Sequence, residues 1–188
     1  MYNIQYQYTH DIDWFFLIGN KPIHCASNGG RIPNIYRAVD LQNLQVKVES
    51  IKPSCRFILN KASLENYVYE HYRNTDNKIS MNQEQHDFVE GIDYDNDIPT
   101  WMKTYSWSFV KMAQRGFFSF DRDAKTGHYF LVASPTEYAE AIGGIGELMF
   151  NLPEQECLFF DEHSVRNNLS KQINFVSTIE RYVWRNGK

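Results

Sequence analysis

An uninterrupted apolar run near the N-terminus constrains the fold of this chain more than any other feature. Trp14-Phe15-Phe16-Leu17-Ile18 is followed at once by Gly19-Asn20, two residues that tolerate the positive φ of a tight turn. Five consecutive apolar residues indicate a strand that is buried on both faces. Pro22 to Ala26 then forms the returning strand, so the sequence predicts a buried hairpin here.

Other strands are predicted from alternation and from short apolar runs. Residues 2–8 alternate large and polar side chains, which is typical of a half-buried strand. A second hairpin is predicted from Val46–Val48 and Cys55–Leu59. A third joins residues 117–120 to 129–133 through a loop that ends near Gly127.

In the rest of the chain, several segments have apolar residues at the spacing of one helical face, which indicates amphipathic helices. This spacing predicts helices over 64–72, 81–90 and 100–115 and a helix that starts at Ser134-Pro135. A long C-terminal amphipathic helix is predicted across 165–183. Strands come in hairpins and helices in blocks, so we expect a single α+β domain over residues 1–188, with a hairpin-built antiparallel sheet and about five helices.

Composition and charge exclude several classes of protein. The chain has 188 residues, 43% of them hydrophobic, and a formal net charge of -4 with no basic stripe, so no nucleic-acid partner is expected. No apolar run approaches the ~20 residues that span a bilayer, and residues 1–13 do not resemble a secretory signal. Three widely spaced cysteines argue against a disulfide framework. A reducing, cytoplasmic location without membrane contact is therefore expected.

One stretch carries residues that could react. The predicted hairpin delivers Cys25 to a glycine-rich loop, Ser27-Asn28-Gly29-Gly30, and Arg31 follows. Successive backbone N–H groups in such a loop can bind an anion. The same groups would lower the pKa of the Cys25 thiol, and an arginine could bind an oxyanion bidentately.

The spacing of these residues resembles the H-C-x5-R signature of cysteine-dependent protein tyrosine phosphatases. Asn28 and Pro33 are also similar to residues in the phosphate loop of the low-molecular-weight branch. The resemblance implies that Cys25 is the catalytic nucleophile and that Arg31 binds phosphate. The loop Ser27, Asn28, Gly29 and Gly30 would then hold the anion. The alternative is a tight turn that needs positive φ, with Cys25 buried and Arg31 solvated.

No metal site and no cofactor are predicted. Asp93, Asp95 and Asp97 resemble the opening of a calcium loop, but the position that requires glycine is Ile98. The six histidines show none of the metal-binding spacings. The glycines at 143–146 lie within a helical pattern and do not match a nucleotide-binding fingerprint.

Three functional hypotheses remain open at the level of sequence. The preferred one is a non-catalytic interaction module or subunit that binds an unknown protein partner or itself. It predicts an apolar surface patch or a symmetric interface of at least ~1,000 Å². The second is a phosphatase centred on Cys25 and Arg31. The third is a hydrolase or transferase of unrecognised type, whose site is assembled from distant residues.

Overall fold

A six-stranded sheet lies at the centre of the fold. The computed structural model describes residues 3–69, 81–136, 140–157 and 172–187, without the side chains of 140–143. The strands run in the order β3-β5-β4-β2-β1-β6. Their bounds are β1 Asp13–Ile18, β2 Lys21–Ala26, β3 Phe57–Leu59, β4 Phe118–Arg122, β5 Tyr129–Pro135 and β6 Phe150–Leu152.

Six α-helices lie in the described ranges, where about five were predicted for the whole chain. They are α1 Ile4–Thr9, α2 Ala38–Glu49, α3 Lys61–Tyr67, α4 Gln83–Glu90, α5 Thr100–Ala113 and α6 Phe175–Arg185; two 3₁₀ segments span Glu140–Leu148 and Glu154–Glu156. The α+β class is thus confirmed. None of the helices in these ranges is long and apolar enough to cross a bilayer.

The sheet is mixed, which corrects the prediction of a purely antiparallel sheet. The hairpins β1/β2 and β4/β5 are antiparallel as expected, and β3 also pairs antiparallel with β5. However, β2 pairs parallel with β4, and β1 pairs parallel with β6. Each parallel pair joins segments that are distant in sequence, so no turn motif indicates it.

The sheet separates two hydrophobic cores. In β5, Leu131 belongs to one core and Phe130 and Val132 to the other, as expected because successive side chains point to opposite faces. The first core includes buried residues of α2 and α6, and the second includes residues of α3 and α5. Helices therefore cover both faces of the sheet.

Three local predictions were wrong. Residues 4–9 form α1 rather than a strand, with the Asn3 side chain accepting a hydrogen bond from Gln5 N as a cap. Val46 and Val48 lie in α2, so the second predicted hairpin does not exist. Ser134 and Pro135 extend β5 instead of starting a helix.

The C-terminal helix is shorter than predicted. It begins at Phe175, and the Asn174 side chain caps it by accepting a hydrogen bond from Ser177 N at 3.0 Å. Just before it, Ile173 pairs with Tyr129 in an isolated antiparallel bridge, which removes these backbone groups from a helix. Residues 165–171 of the prediction lie outside the described residues.

Candidate functional site

The glycine-rich loop forms a tight turn. Asn28 and Gly29 both have positive φ, 43° and 64°, and Gly30 N donates a hydrogen bond to the Ser27 carbonyl oxygen at 2.8 Å. Two consecutive residues with positive φ are the feature of a type I′ turn, and Asn-Gly is its preferred pair. This conformation is the one that the alternative interpretation of the loop predicts.

Several backbone N–H groups of this turn already donate hydrogen bonds to acceptors within the protein. Ser27 N donates to the Ile12 carbonyl at 3.0 Å, and Asn28 N donates to Asp11 Oδ1 at 2.7 Å. The Ser27 hydroxyl also lies 3.3 Å from Asp11 Oδ1. The Asp11 carboxylate therefore accepts the hydrogen bond that Asn28 N could otherwise donate to a bound anion, and Ser27 N is occupied by a backbone carbonyl.

Cys25 is enclosed in the first core. Its side chain has no solvent exposure, and it stands in β2 between Trp14 of β1 and Phe120 of β4. Burial, with a smaller contribution from the charges of Asp121 and Asp13, raises the pKa of the thiol well above its ordinary value. A phosphatase loop requires the reverse, an accessible thiol with a lowered pKa.

Arg31 lies at the surface and is paired with the C-terminal helix. Its Nη2 contacts Glu180 Oε1 at 2.5 Å, while Cys25 lies in the core, so the two residues face different surroundings. The guanidinium of Arg122 lies beside the turn. A Cβ on Gly30 would lie 2.4 Å from Arg122 Cζ, so a side chain at residue 30 would displace this guanidinium.

A chain of polar side chains crosses the second face of the sheet. His24 Nδ1 lies 2.6 Å from Ser119 Oγ, because β2 and β4 place these two residues side by side. The other ring nitrogen, His24 Nε2, lies 3.1 Å from Asp13 Oδ1 but makes no hydrogen bond with a described residue. Burial alone would raise the pKa of Asp13. The interaction with His24 lowers it by more, so the pKa of Asp13 is lower than its ordinary value.

Asp121 is a second buried acid of this face. The hydroxyl of Tyr105 donates to Asp121 Oδ2, and Arg122 N donates to Asp121 Oδ1 at 2.7 Å. Burial raises the pKa of Asp121 to about 7, although both hydrogen bonds favour the ionised form. The group is thus a carboxyl that changes charge near neutral pH.

Asp13, His24 and Ser119 match the residue types of a catalytic triad, but a nucleophile must reach its substrate. Ser119 has no solvent exposure and His24 almost none. The hydrogen bond between His24 Nδ1 and Ser119 Oγ instead gives each of these buried side chains a polar partner. The sequence analysis did not identify this group of polar residues. The pattern that could have indicated it is the alternation of Ser119 and Asp121 with phenylalanines in β4.

Metal ligands are not grouped in the described ranges: no cluster of three or more His, Cys, Asp or Glu side chains there could hold an ion. Among the residues that resemble a calcium loop, Asp97 instead contacts Lys61 Nζ through Oδ2 at 2.5 Å. The acidic loop is thus tied to α3 by an ion pair at the protein surface.

An open groove lies between α6 and the segment 31–35. Its volume is about 330 Å³, and at its rim the Trp184 side chain is 83% exposed. We call this region the Trp184 surface. Its lining residues are Arg31, Asn34, Ile35, Glu180, Val183 and Trp184.

Of the residues predicted as a site, Arg31 alone lines this groove. Cys25 lies in the core, and Ser27, Asn28, Gly29 and Gly30 form the turn that precedes the segment 31–35.

No protein-family model, curated protein or solved structure matches the chain.

Proposed function

We propose that the chain is a non-catalytic interaction module that binds a protein partner through the Trp184 surface. The observation that carries the proposal is the 83% exposure of Trp184 beside an open groove. Tryptophan and arginine are the residues most enriched among energetic hot spots of interfaces. An indole left in water is a large apolar surface whose burial by a partner is favourable.

The walls of the groove are held by the fold. On one side, Phe175 and Ile179 of α6 are fully buried in the first core. Arg185, at the end of the same helix, pairs with Glu156. On the other side, buried Ile32 and Tyr36 flank the segment that contributes Asn34 and Ile35. A surface that is already ordered loses less conformational entropy on binding.

The groove, together with Arg181 on the neighbouring surface of α6, indicates which chemistry would suit a partner. Ile35, Val183 and Trp184 offer apolar contacts. Arg181 lies one turn before Trp184 on the exposed side of α6 and forms no ion pair with any described residue. A matching protein surface would present an apolar side chain next to a carboxylate.

Photo-cross-linking tests this proposal. A benzophenone amino acid at Asn34, which is exposed in the groove, is expected to cross-link one defined protein in cells. The cross-link should disappear when Trp184→Ala is added, since the main contact is then lost. The matched control places the same probe at Glu84, which is exposed on α4 on the opposite face of the sheet. Equal cross-links from both positions, or none from Asn34, would contradict the proposal.

A further inference from the structure

We infer that the guanidinium of Arg122 binds a carboxylate ligand at the edge of the sheet where β2 and β4 end. The inference goes beyond the proposed function, because Arg122 does not line the groove of the Trp184 surface. It follows from the position of Arg122 in the sheet, from two glycines beside its guanidinium, and from the lack of a protein acceptor for that group.

The parallel strands β2 and β4 end side by side. Ala26, the last residue of β2, pairs with Asp121, and Arg122 is the last residue of β4. The turn after β2 stays next to Arg122, since the Asn28 Nδ2 group donates a hydrogen bond to the Arg122 carbonyl oxygen at 3.0 Å. Open sheets commonly bind ligands just beyond the carboxyl ends of parallel strands. Arg122 therefore lies where this fold has room for a site.

The side chain of Arg122 lies on the face of the sheet that carries the first core. Phe118 and Phe120 of the same strand belong to that core, and alternate residues of a strand share a face. Arg122 itself is only partly buried. It therefore lies at the rim of the first core, neither enclosed like Phe120 nor fully hydrated.

Two glycines lie against the guanidinium. A Cβ on Gly30 would lie 2.4 Å from Arg122 Nε, and a Cβ on Gly127 would lie 3.0 Å from Nη2. A side chain at residue 30 would overlap the guanidinium, and one at residue 127 would crowd it. The two backbone segments thus restrict where this group can be. A group that is restricted before binding loses less conformational entropy when its ligand binds.

The guanidinium has no acceptor within the protein. Nε, Nη1 and Nη2 of Arg122 form no hydrogen bond or ion pair with a described residue. None of them is a buried unpaired atom, so these N–H groups are open to solvent. By contrast, Arg31, Arg37 and Arg185 pair with carboxylates, and the buried Arg115 donates to a backbone carbonyl. Within the described ranges, only Arg122 is a partly buried arginine with an unpaired guanidinium.

The chemistry of the site favours a carboxylate over a doubly charged anion. A guanidinium presents parallel N–H groups that match the two oxygens of a carboxylate. Arg122 brings one positive charge, and Asp11 and Asp123 lie in the adjoining turns. Both are already hydrogen-bonded, because Asn28 N donates to Asp11 Oδ1 and Lys125 N donates to Asp123 Oδ1. Two neighbouring carboxylates repel a dianion more than a monoanion, so phosphate should bind more weakly than a carboxylate.

A titration of the full chain with sodium acetate, followed by NMR, tests the inference. The Nε–Hε signal of Arg122 is expected to shift and to saturate at millimolar acetate, as expected for one pair of charge-assisted hydrogen bonds. Sodium chloride at the same ionic strength should not give this shift. A short capped peptide with a single aspartate identifies the source of the carboxylate. Tighter binding of the peptide than of acetate indicates a protein ligand, and equal or weaker binding indicates a small molecule.

Substitutions of Arg122 separate the fork of N–H groups from the charge. Arg122→Gln removes the guanidinium and should abolish the acetate-dependent shifts of the Gly30 and Gly127 amides. Arg122→Lys keeps the charge without the parallel N–H groups, so acetate should bind at least about 10-fold more weakly. The control is Arg37→Gln, at an exposed arginine, which should bind acetate like wild type.

A further pair of variants tests the space beside the guanidinium. Gly30→Ala leaves every charge in place but puts a methyl group where the guanidinium lies, so it should weaken the binding of acetate. The matched control is Gly144→Ala, where an added Cβ meets nothing within 4 Å, and it should bind acetate like wild type. The amide spectrum of each variant shows that the fold is retained.

Three outcomes would overturn the inference. They are the absence of a saturable acetate shift in the wild-type chain, unchanged acetate binding in Arg122→Gln, and tighter binding of inorganic phosphate than of acetate. The cross-link from Asn34 tests a different surface, so the proposed function stands or falls separately from this site.

Discussion

Asp121 is the residue whose chemistry the fold changes most. It is buried between the hydroxyl of Tyr105 and the amide of Arg122, and its pKa rises from 3.8 to about 7. Asp11 and Asp13 lie near enough to oppose its ionisation further. The folded protein thus binds a proton between pH 4 and 7 that the unfolded chain has already released.

Asp121→Asn tests this consequence. Because the folded pKa is raised, the contribution of Asp121 to stability is fully present below pH 4. It declines as the pH rises towards 7 and then stays constant. The asparagine variant lacks this decline, so its stability relative to wild type should increase from pH 5 to pH 8. Each tenfold change in proton affinity corresponds to about 1.4 kcal/mol, so a gain of a few kcal/mol is expected.

Urea unfolding at several pH values measures this gain. Asp95→Asn, which removes an exposed carboxyl, is the control for the loss of a carboxylate from the protein. A constant difference between Asp121→Asn and wild type from pH 5 to pH 8 would show that Asp121 does not titrate in this range.

The cysteines give a second prediction at this scale. Cys25 and Cys157 are buried, whereas Cys55 is partly exposed. Iodoacetamide should therefore label Cys55 in the native protein and reach Cys25 and Cys157 only after unfolding. Peptide mass spectrometry locates the label. Rapid native alkylation of Cys25 that phosphate prevents would instead favour the phosphatase hypothesis.

Single residues show where sequence reasoning stops. The Asn28-Gly29 turn was predictable, because few residues accept positive φ. The environment of Cys25 was not predictable, because it depends on the pairing of β2 with β4, a strand that is distant in sequence. Arg31 follows the turn in sequence, but its partner Glu180 lies in the last helix. No local pattern connects these two residues.

At the level of elements, α1 shows how tertiary contacts override a periodic pattern. Residues 2–8 alternate as in a strand, yet residues 4–9 are helical. The ring of Tyr6 stacks on His10 one turn later, with centroids 3.8 Å apart. Gln7 is buried, and its Oε1 accepts a hydrogen bond from Ile32 N at 2.9 Å. Seven residues are too few for periodicity alone to decide between the two structures.

The cap of α6 leads to a prediction for this element. The Asn174 side chain accepts a hydrogen bond from Ser177 N at 3.0 Å, so Asn174→Ala leaves one amide at the helix start unsatisfied. The expected loss is about 1 kcal/mol in the free energy of unfolding. Asn174→Asp keeps the acceptor and should stay near wild type. Equal losses in both variants would show that packing, and not the cap, fixes the helix start.

At the scale of the whole molecule, strand order was the largest part of the fold that the sequence left open. The hairpins β1/β2 and β4/β5 were predicted from local turns. Their assembly through the parallel pair β2/β4 was not, since long crossovers carry no local signal. This assembly creates the polar face of His24 and Ser119. It also puts helices on both sides of the sheet, and one of them carries the Trp184 surface.

Cooperative unfolding tests whether the chain is the single domain that the sequence predicts. Phe120 belongs to the first core and Phe130 to the second, and both are carried by the same antiparallel pair, β4/β5. Replacement of either with alanine should cost about 3–5 kcal/mol. Because both cores share one sheet, each variant should shift one common transition in fluorescence and in circular dichroism.

The control is Val46→Ala, at an exposed residue, which should change the free energy of unfolding by less than about 0.5 kcal/mol. Two separate transitions, each moved by only one of the phenylalanine variants, would show that the two faces of the sheet unfold independently.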